Sequence, residues 1–284
     1  MEITKIAVLG AGQMGSGIAQ VAATSGYQVS MMDVTEQVLE KGLKSIRNSL
    51  ERFVKSGKLK EEKKEEIIKT ISPTTDLADA VEGAQLVIEA VPEDLELKKE
   101  VFKELEGLCA EETILASNTT ELSITDIASV TSCSDKVIGM HWFNPAPLMK
   151  LVEIVTGVDT SDQTVQIVQD LAQKMGKETV LVKDAQGFIT SRVLAAHMLE
   201  CMRVLEEGVA SAEDIDKAVR LGLNYPMGPF ELADYVGLDT MVFAAEGLTE
   251  AYGDRFRAPQ NLKKLVEAGH LGRKSGQGFY NHDK

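Results

Sequence analysis

Of the four histidines in the chain, one stands where a side chain could exchange a proton with a bound ligand. His141 ends the apolar run VIGMH and is followed at once by residues 142–145, WFNP. In open α/β sheets ligands lie at the carboxyl ends of the strands, and imidazole is the side chain that titrates nearest to neutral pH. The other three histidines are expected to be structural or exposed (His197, His270 and His282). His141 is therefore the candidate acid/base, although position alone leaves a structural role open.

Polar side chains that could serve His141 lie further along the chain or at a neighbouring strand end. Glu153 is an acid inside the apolar run LVEIV, and such an acid is rarely buried without a partner. If the two strands are neighbours, Glu153 can fix the tautomer of His141 and stabilise its imidazolium. Ser117 and Asn118, at the end of the run TILAS, and Asn144 offer hydroxyl and amide groups to the same edge. Each of these three could instead be a turn former.

A glycine motif near the N-terminus predicts a dinucleotide site. It consists of Gly10-Ala11-Gly12-Gln13-Met14-Gly15, follows an apolar strand and opens a helical pattern. Gly10 permits the tight turn, Gly12 lets the backbone approach a pyrophosphate, and Gly15 lets the helix pack closely on the strand. The free N–H groups at the start of the helix then face the phosphates.

The acid that ends the second predicted strand selects the cofactor. Asp33 lies 21 residues after Gly12, where it can accept hydrogen bonds from ribose hydroxyls. A 2′-phosphate would instead meet a carboxylate, and like charges 4 Å apart cost about 4 kcal/mol at an effective dielectric near 20. No arginine follows Asp33, since the next residues are Val34, Thr35 and Glu36. The sequence therefore predicts NAD rather than NADP.

The elements that must position these residues predict two domains. Strands are expected at 5–10, 28–33, 86–91, 113–117, 137–141, 151–155 and 179–182, separated by helical patterns. A helical hairpin of about 35–70, broken near Gly57, is inserted after the second strand. This alternation predicts an α/β fold of the Rossmann type over residues 1–185, with a mainly parallel sheet. Residues 186–284 form an all-helical C-terminal domain, with helices expected at 187–207, 212–221 and 230–249.

Bulk composition excludes several classes of function. The 284 residues carry a net charge of −14, so a nucleic-acid partner is not expected. No apolar run reaches the length of a transmembrane helix, and no signal peptide is apparent. Three scattered cysteines without a CxxC spacing argue against a metal site and fit a reducing compartment (Cys109, Cys133 and Cys201). A cytoplasmic location is therefore expected.

Positive charge is concentrated in the hairpin. From Lys41 to Lys64 the chain has nine Lys or Arg residues and three Glu residues, a net charge of +6. A solvated helix face is one interpretation of this stretch, and a local anion site is the other.

Four stretches together resemble the 3-hydroxyacyl-CoA dehydrogenases, and most of all the short-chain bacterial members. They are SNTTELSI (117–124), GMHWFNPAPLMKLVEIV (139–155), MGPFELADYVGLD (227–239) and GRKSGQGFY (272–280). The resemblance implies NAD-dependent oxidation of a (S)-3-hydroxyacyl-CoA such as 3-hydroxybutyryl-CoA to the 3-oxo form, or the reverse. It assigns the acid/base role to His141 and its orientation to Glu153. It places Ser117 and Asn118 against substrate and nicotinamide, and Asn144 at the nicotinamide.

The same resemblance implies further contacts. Glu93, Lys98 and Lys274 match positions that contact the cofactor. The basic hairpin matches an arm that covers coenzyme A, with Ser49 and Lys55 at or next to ligand positions and Arg52 nearby. The helical domain corresponds to a dimer interface, so a homodimer is implied.

One position departs from the family, and two other functions stay open. Family members commonly have an asparagine facing the substrate pocket where this chain has Ser191, in the stretch GFITSR. A hydroxyl offers fewer hydrogen bonds than an amide, which predicts a roomier pocket. The alternatives are a dehydrogenase of a free 3-hydroxy acid and a non-enzymatic relative like a lens crystallin. The pairing of His141 with Glu153 argues against both.

Overall fold

A computed structural model describes residues 2–282 of the chain. The chain forms two compact units, with the boundary after Asp184. The first is built on one sheet of eight strands in the order β3-β2-β1-β4-β5-β6-β7-β8. The strands are β1 (Lys5–Leu9), β2 (Gln28–Met32), β3 (Ile71–Thr74), β4 (Leu86–Glu89), β5 (Ile114–Ser117), β6 (Val137–Trp142), β7 (Leu151–Thr156) and β8 (Glu178–Lys183).

Neighbouring strands of this sheet are parallel except for β6 and β7, which pair in antiparallel fashion. The central strands are apolar at nearly every position, because helices cover both faces of a parallel sheet. These helices are α1 (Gln13–Thr24), α2 (Glu36–Lys55), α3 (Glu61–Lys69), α4 (Leu77–Val81), α5 (Leu95–Leu108), α6 (Ile124–Ala128) and α7 (Asp162–Lys174). The predicted Rossmann-type, mainly parallel fold is confirmed.

The inserted hairpin consists of α2 and α3. Thr35 caps α2, since its hydroxyl accepts a hydrogen bond from the Val38 N–H, and Gly57 makes the turn with φ +73°. Buried residues on α2 recur every three or four positions, at Leu39, Gly42, Ile46 and Leu50. The arm therefore packs one face on the sheet domain and turns its lysines and arginines outward.

The second unit is built from α8 (Thr190–Glu206), α9 (Ala212–Gly222), α10 (Pro229–Val236), α11 (Leu238–Tyr252) and α12 (Gln260–Glu267) around its own apolar core. The prediction of a single helix at 230–249 is wrong, because two helices, α10 and α11, cover this stretch. Gly237 divides it, because its φ of +107° cannot continue a right-handed helix. Strand β3 and helices α4, α6 and α12 were not predicted, since each is short or has a weak apolar pattern.

Across residues 2–282, no helix combines the length and the apolarity that crossing a membrane requires.

Candidate active site

The catalytic candidates His141 and Glu153 face each other across the antiparallel pair β6–β7. His141 Nδ1 lies 2.7 Å from Glu153 Oε2, and the two residues are 5% and 0% exposed. The two strands are neighbours, which is the condition for Glu153 to orient His141. A carboxylate only accepts hydrogen bonds, so Nδ1 carries the proton, and Nε2 is the nitrogen that can take a proton from a ligand.

The glycine turn between β1 and α1 has the shape that a dinucleotide requires. Gly10 has φ +95°, and a Cβ atom there would lie 2.5 Å from the carbonyl oxygen of Ala90. A Cβ on Gly15 would lie 1.8 Å from the carbonyl oxygen of Gly10, whereas Gly12 faces open space. Two glycines are therefore needed for packing, and the third leaves room for a phosphate at the start of α1.

Asp33, which is predicted to bind a ribose, also accepts a hydrogen bond within the protein. It follows β2, is half-buried, and its Oδ2 accepts a hydrogen bond of 2.8 Å from the Ala11 N–H. The acid therefore stabilises the glycine turn while remaining at the edge where a ribose would lie.

Behind this edge lies a buried polar cluster centred on Glu89, the last residue of β4. Its carboxylate accepts hydrogen bonds from Ser117 Oγ (2.6 Å), Lys98 Nζ (2.6 Å) and the Val91 N–H (2.7 Å). Ser117 is buried and its only proton is committed to Glu89, so its oxygen can offer a ligand no more than a lone pair. Glu89 is not among the predicted site residues, although an acid in an apolar strand is the same signal that singled out Glu153.

Lys98 and Glu93, two predicted cofactor residues, belong to the same cluster. Lys98 is 1% exposed, and its ammonium lies between Glu89 and Glu93. Glu93 Oε1 accepts hydrogen bonds from the Thr119 hydroxyl (2.6 Å) and the Thr120 N–H (2.8 Å). We therefore expect Lys98 to act on the cofactor through these carboxylates, and Glu93 to shape the loop that follows β5.

Glu121, in that loop, titrates near neutral pH. Burial raises the pKa of its carboxyl group to about 7, and the nearby charge of Glu93 adds to the rise. Between pH 4.5 and about pH 7, the folded chain therefore keeps a proton on Glu121 that the unfolded chain has lost. Stability must fall as pH rises through that window.

Glu121→Gln is therefore expected to raise the Tm at pH 8 by roughly 2–4 °C, the equivalent of ~1 kcal/mol in a chain of this size, and to change it much less at pH 5, near the lower end of the window. Thermal unfolding at the two pH values measures the effect. The exposed acid Glu112 provides the control variant Glu112→Gln. An equal shift at both pH values would contradict the assignment.

The oxygens of two amide side chains at the site accept hydrogen bonds from other residues of the protein. Asn118 Oδ1 accepts a hydrogen bond from the Trp142 N–H (2.9 Å), and Asn144 Oδ1 accepts one from Gln13 Nε2 (3.1 Å). The NH₂ group of each amide is then the part that can donate to a ligand. Gln13 and Asn144, 131 residues apart in sequence, are thus brought together.

The arm offers two basic surfaces. Arg52 and Lys55 lie on the exposed face of α2, where Lys55 pairs with Glu51 at 2.8 Å, and Ser49 is half-buried beside them. The second surface is a cavity of about 360 Å³ between α1, the arm and the loop before β7. Its walls are largely apolar, and three lysines contribute to its lining: Lys58, Lys150 and Lys177. This cavity is not recognisable in the sequence, because its walls come from segments that are far apart along the chain.

In the helical unit, the two predicted site residues have clear local positions. Ser191 is the second residue of α8 and is half-buried. Lys274 Nζ lies 2.6 Å from Asp239 Oδ1, and the hydrogen bond from Lys274 lowers the pKa of that carboxyl group.

Comparison with known proteins agrees with this geometry. Residues 5–185 match the family model for the 3-hydroxyacyl-CoA dehydrogenase NAD binding domain, and residues 187–282 match that for the C-terminal domain. The chain is 48% identical to a probable 3-hydroxybutyryl-CoA dehydrogenase of Bacillus subtilis, over 100% of this chain and 99% of that protein. It is 44% identical to the mitochondrial hydroxyacyl-coenzyme A dehydrogenase of Sus scrofa, over 99% and 91%. A crystal structure of (S)-3-hydroxybutyryl-CoA dehydrogenase from Ralstonia eutropha superimposes with a TM-score of 0.97 at 41% identity, covering both chains completely.

Proposed function

The chain belongs to the 3-hydroxyacyl-CoA dehydrogenase family, and from that premise we propose that it interconverts (S)-3-hydroxybutyryl-CoA and acetoacetyl-CoA with NAD. The observation that carries this proposal is the buried pair of His141 and Glu153 at the carboxyl end of β6. Oxidation of NADH in the presence of acetoacetyl-CoA tests it. Activity on a free 3-oxo acid alone, or none on either substrate, would favour the alternative functions.

We assign the proton transfer to His141 Nε2. During oxidation this nitrogen takes the proton of the 3-hydroxyl group, and during reduction it returns the proton to the same oxygen. Glu153 stabilises the imidazolium that forms in between. NAD, when bound, accepts the hydride from C3 of the substrate. Ser117 and Asn144 complete the proposed catalytic group, with Glu89 orienting the Ser117 hydroxyl.

The proposed cofactor site follows the carboxyl edge of the sheet. The turn from Gly10 to Gly15 binds the pyrophosphate through the N–H groups at the start of α1, including those of Gln13 and Met14. Asp33 binds the adenosine ribose. The remaining proposed cofactor residues lie at the ends of β4, β5 and β6 or in the loops that follow them, in α5 and in the helical unit: Glu93, Ser117, Asn118, Asn144, Lys98 and Lys274. Lys98 is proposed to act through Glu89 and Glu93.

Removing the charge of Asp33 is expected to narrow the preference for NAD over NADP. Asp33→Asn is the sharpest variant, because its amide oxygen can still accept the hydrogen bond from the Ala11 N–H. We expect the ratio of kcat/KM values for the two cofactors to fall about tenfold or more, which corresponds to 1.4 kcal/mol. Steady-state kinetics with each cofactor decide the matter, and an unchanged ratio would show that the charge of Asp33 does not select NAD.

Coenzyme A binding is assigned to the arm. Phosphates favour positively charged surfaces. The arm offers Arg52 and Lys55 on the exposed face of α2, with Ser49 beside them, and Lys58 at the cavity, where Lys150 of the loop before β7 adds a second positive charge. The cavity also provides apolar walls for the nucleotide or the pantetheine chain. Ser191 in α8 stays a predicted contact of the acyl end.

Lys55→Glu is expected to raise the KM for acetoacetyl-CoA several-fold and to leave the KM for a truncated thioester without the nucleotide unchanged. Lys58→Glu, measured in parallel, distinguishes the exposed face of α2 from the cavity. Lys103→Glu is the control, since this exposed lysine lies on α5 and outside the arm. Equal changes in the KM values of both substrates would mean that the basic side chains of the arm are only solvated and do not bind coenzyme A.

We also propose a homodimer formed through the helical unit and a cytoplasmic location. Large apolar side chains lie exposed on this unit, among them Val193, Leu221, Leu223 and Phe243, and such patches favour association. The three cysteines are free, and free thiols favour a reducing compartment.

A further inference from the structure

The loop between β6 and β7 carries the proposed cofactor residue Asn144, and a buried lysine binds its backbone. Lys177 directly precedes β8 and is 7% exposed. Its ammonium donates hydrogen bonds to the carbonyl oxygens of Ala146 (2.6 Å) and Met149 (2.7 Å). It also lies 5.5 Å from the ring centre of Trp142, the residue after His141. Lys177 thus contacts the last residue of β6, the middle of the loop and the residue next to its end.

The charge of this lysine has no counterion in the part of the chain that the structure describes. No salt bridge to Lys177 occurs among residues 2–282, and burial lowers the pKa of its ammonium group. A buried ammonium without a carboxylate costs free energy that a neutral side chain would not. What compensates here is two short hydrogen bonds from a charged donor, which are about twice as strong as neutral ones, and the attraction to the Trp142 ring.

The opposite side of the loop is held by α1, the helix of the glycine turn. Gln13 Nε2 donates to Asn144 Oδ1. A Cβ atom on Gly17 would lie 3.2 Å from the Cβ of Ala146, so loop and helix are in close contact. Lys177 is therefore the side chain that ties this loop to the sheet, while α1 supports its other side.

We propose that Lys177 is a positioning residue for the dehydrogenase reaction, which sets the backbone of the 143–150 loop and thereby the amide of Asn144. The inference rests on the proposed role of Asn144 at the cofactor. It predicts that the loop is preorganised by an ammonium whose hydrogen bonds go to the loop backbone, at the edge of the cavity proposed for coenzyme A. A group misplaced by about 1 Å can cost 10²-fold in rate, so the loss of this tether has consequences for turnover.

Lys177→Met tests the proposal, because methionine fills a similar volume and cannot donate a hydrogen bond. We expect kcat to fall about tenfold, with less than a twofold change in the KM for acetoacetyl-CoA. Lys177→Arg keeps a charged donor and is expected to recover part of the loss. The matched control is Lys136→Met, since Lys136 also donates to a backbone carbonyl, that of Glu111 at 2.6 Å, but on the exposed surface outside the site.

A double-mutant cycle with Asn144→Ala separates positioning from general stabilisation. If Lys177 acts through Asn144, Lys177→Met has little further effect on kcat in the Asn144→Ala background, whereas independent effects would multiply. Multiplying effects, or unchanged kcat in Lys177→Met, would overturn the inference. Full activity of Asn144→Ala alone would instead refute the proposed role of Asn144. If Lys177→Met does not fold, the same cycle run with Lys177→Arg gives the coupling.

Discussion

His141→Ala is expected to lower kcat by roughly 10²–10⁴-fold, the usual contribution of a positioned acid/base. The physical reason is that no other side chain of β6 offers a nitrogen that can take and return a proton at neutral pH. NADH affinity should stay near that of the wild type, because the glycine turn and Asp33 are untouched. Steady-state kinetics with acetoacetyl-CoA and fluorescence titration with NADH measure the two quantities.

Two further variants make this result specific. Alanine leaves the buried Glu153 without the imidazole, which costs stability as well as catalysis. His141→Gln keeps an NH₂ donor for Glu153 but cannot exchange a proton near pH 7, so it should lose activity with a smaller drop in Tm. His270→Ala, in the helical unit, should be fully active. Wild-type turnover in His141→Ala would refute the mechanism.

Glu153→Gln is expected to lower kcat by roughly 10²–10⁴-fold as well, the scale seen when a histidine loses its orienting carboxylate. The carboxylate lies 2.7 Å from His141 Nδ1 and is completely buried. A neutral amide cannot stabilise the imidazolium, and its NH₂ group can turn the ring to the tautomer that carries its proton on Nε2. That tautomer cannot accept the proton of the 3-hydroxyl group.

Glu153→Asp is the companion variant. It keeps the charge on a shorter side chain, so we expect activity between those of Glu153→Gln and the wild type. Thermal unfolding of both variants shows whether each one is folded under the conditions of the activity assay. If Glu153→Gln keeps activity while the folded Glu153→Asp loses it, side-chain length rather than charge would be what His141 requires.

Several site residues could be predicted because their signals are local. The glycine spacing from Gly10 to Gly15 and the acid at Asp33 belong to one strand–turn–helix unit, and its geometry follows from short-range sterics. His141 could be singled out because a strand ends there. Glu89 carried the same signal as Glu153, an acid in an apolar strand, but no partner was recognisable in sequence. Gly237 was passed over because a glycine in a helical pattern does not by itself reveal a positive φ.

The sequence by itself determined most of the order of strands and helices and the glycine turn, since apolar periodicity and glycine spacing act over a few residues. It also made His141 the candidate acid/base. Only the tertiary structure decided which buried charges pair. Ser117 meets Glu89 across 28 residues because β4 and β5 are parallel neighbours. Lys177 reaches Ala146 across 31 residues because β8 pairs with β7. The desolvation cost of a buried charge determines which partners pair. This cost arises only once the surrounding chain has excluded water.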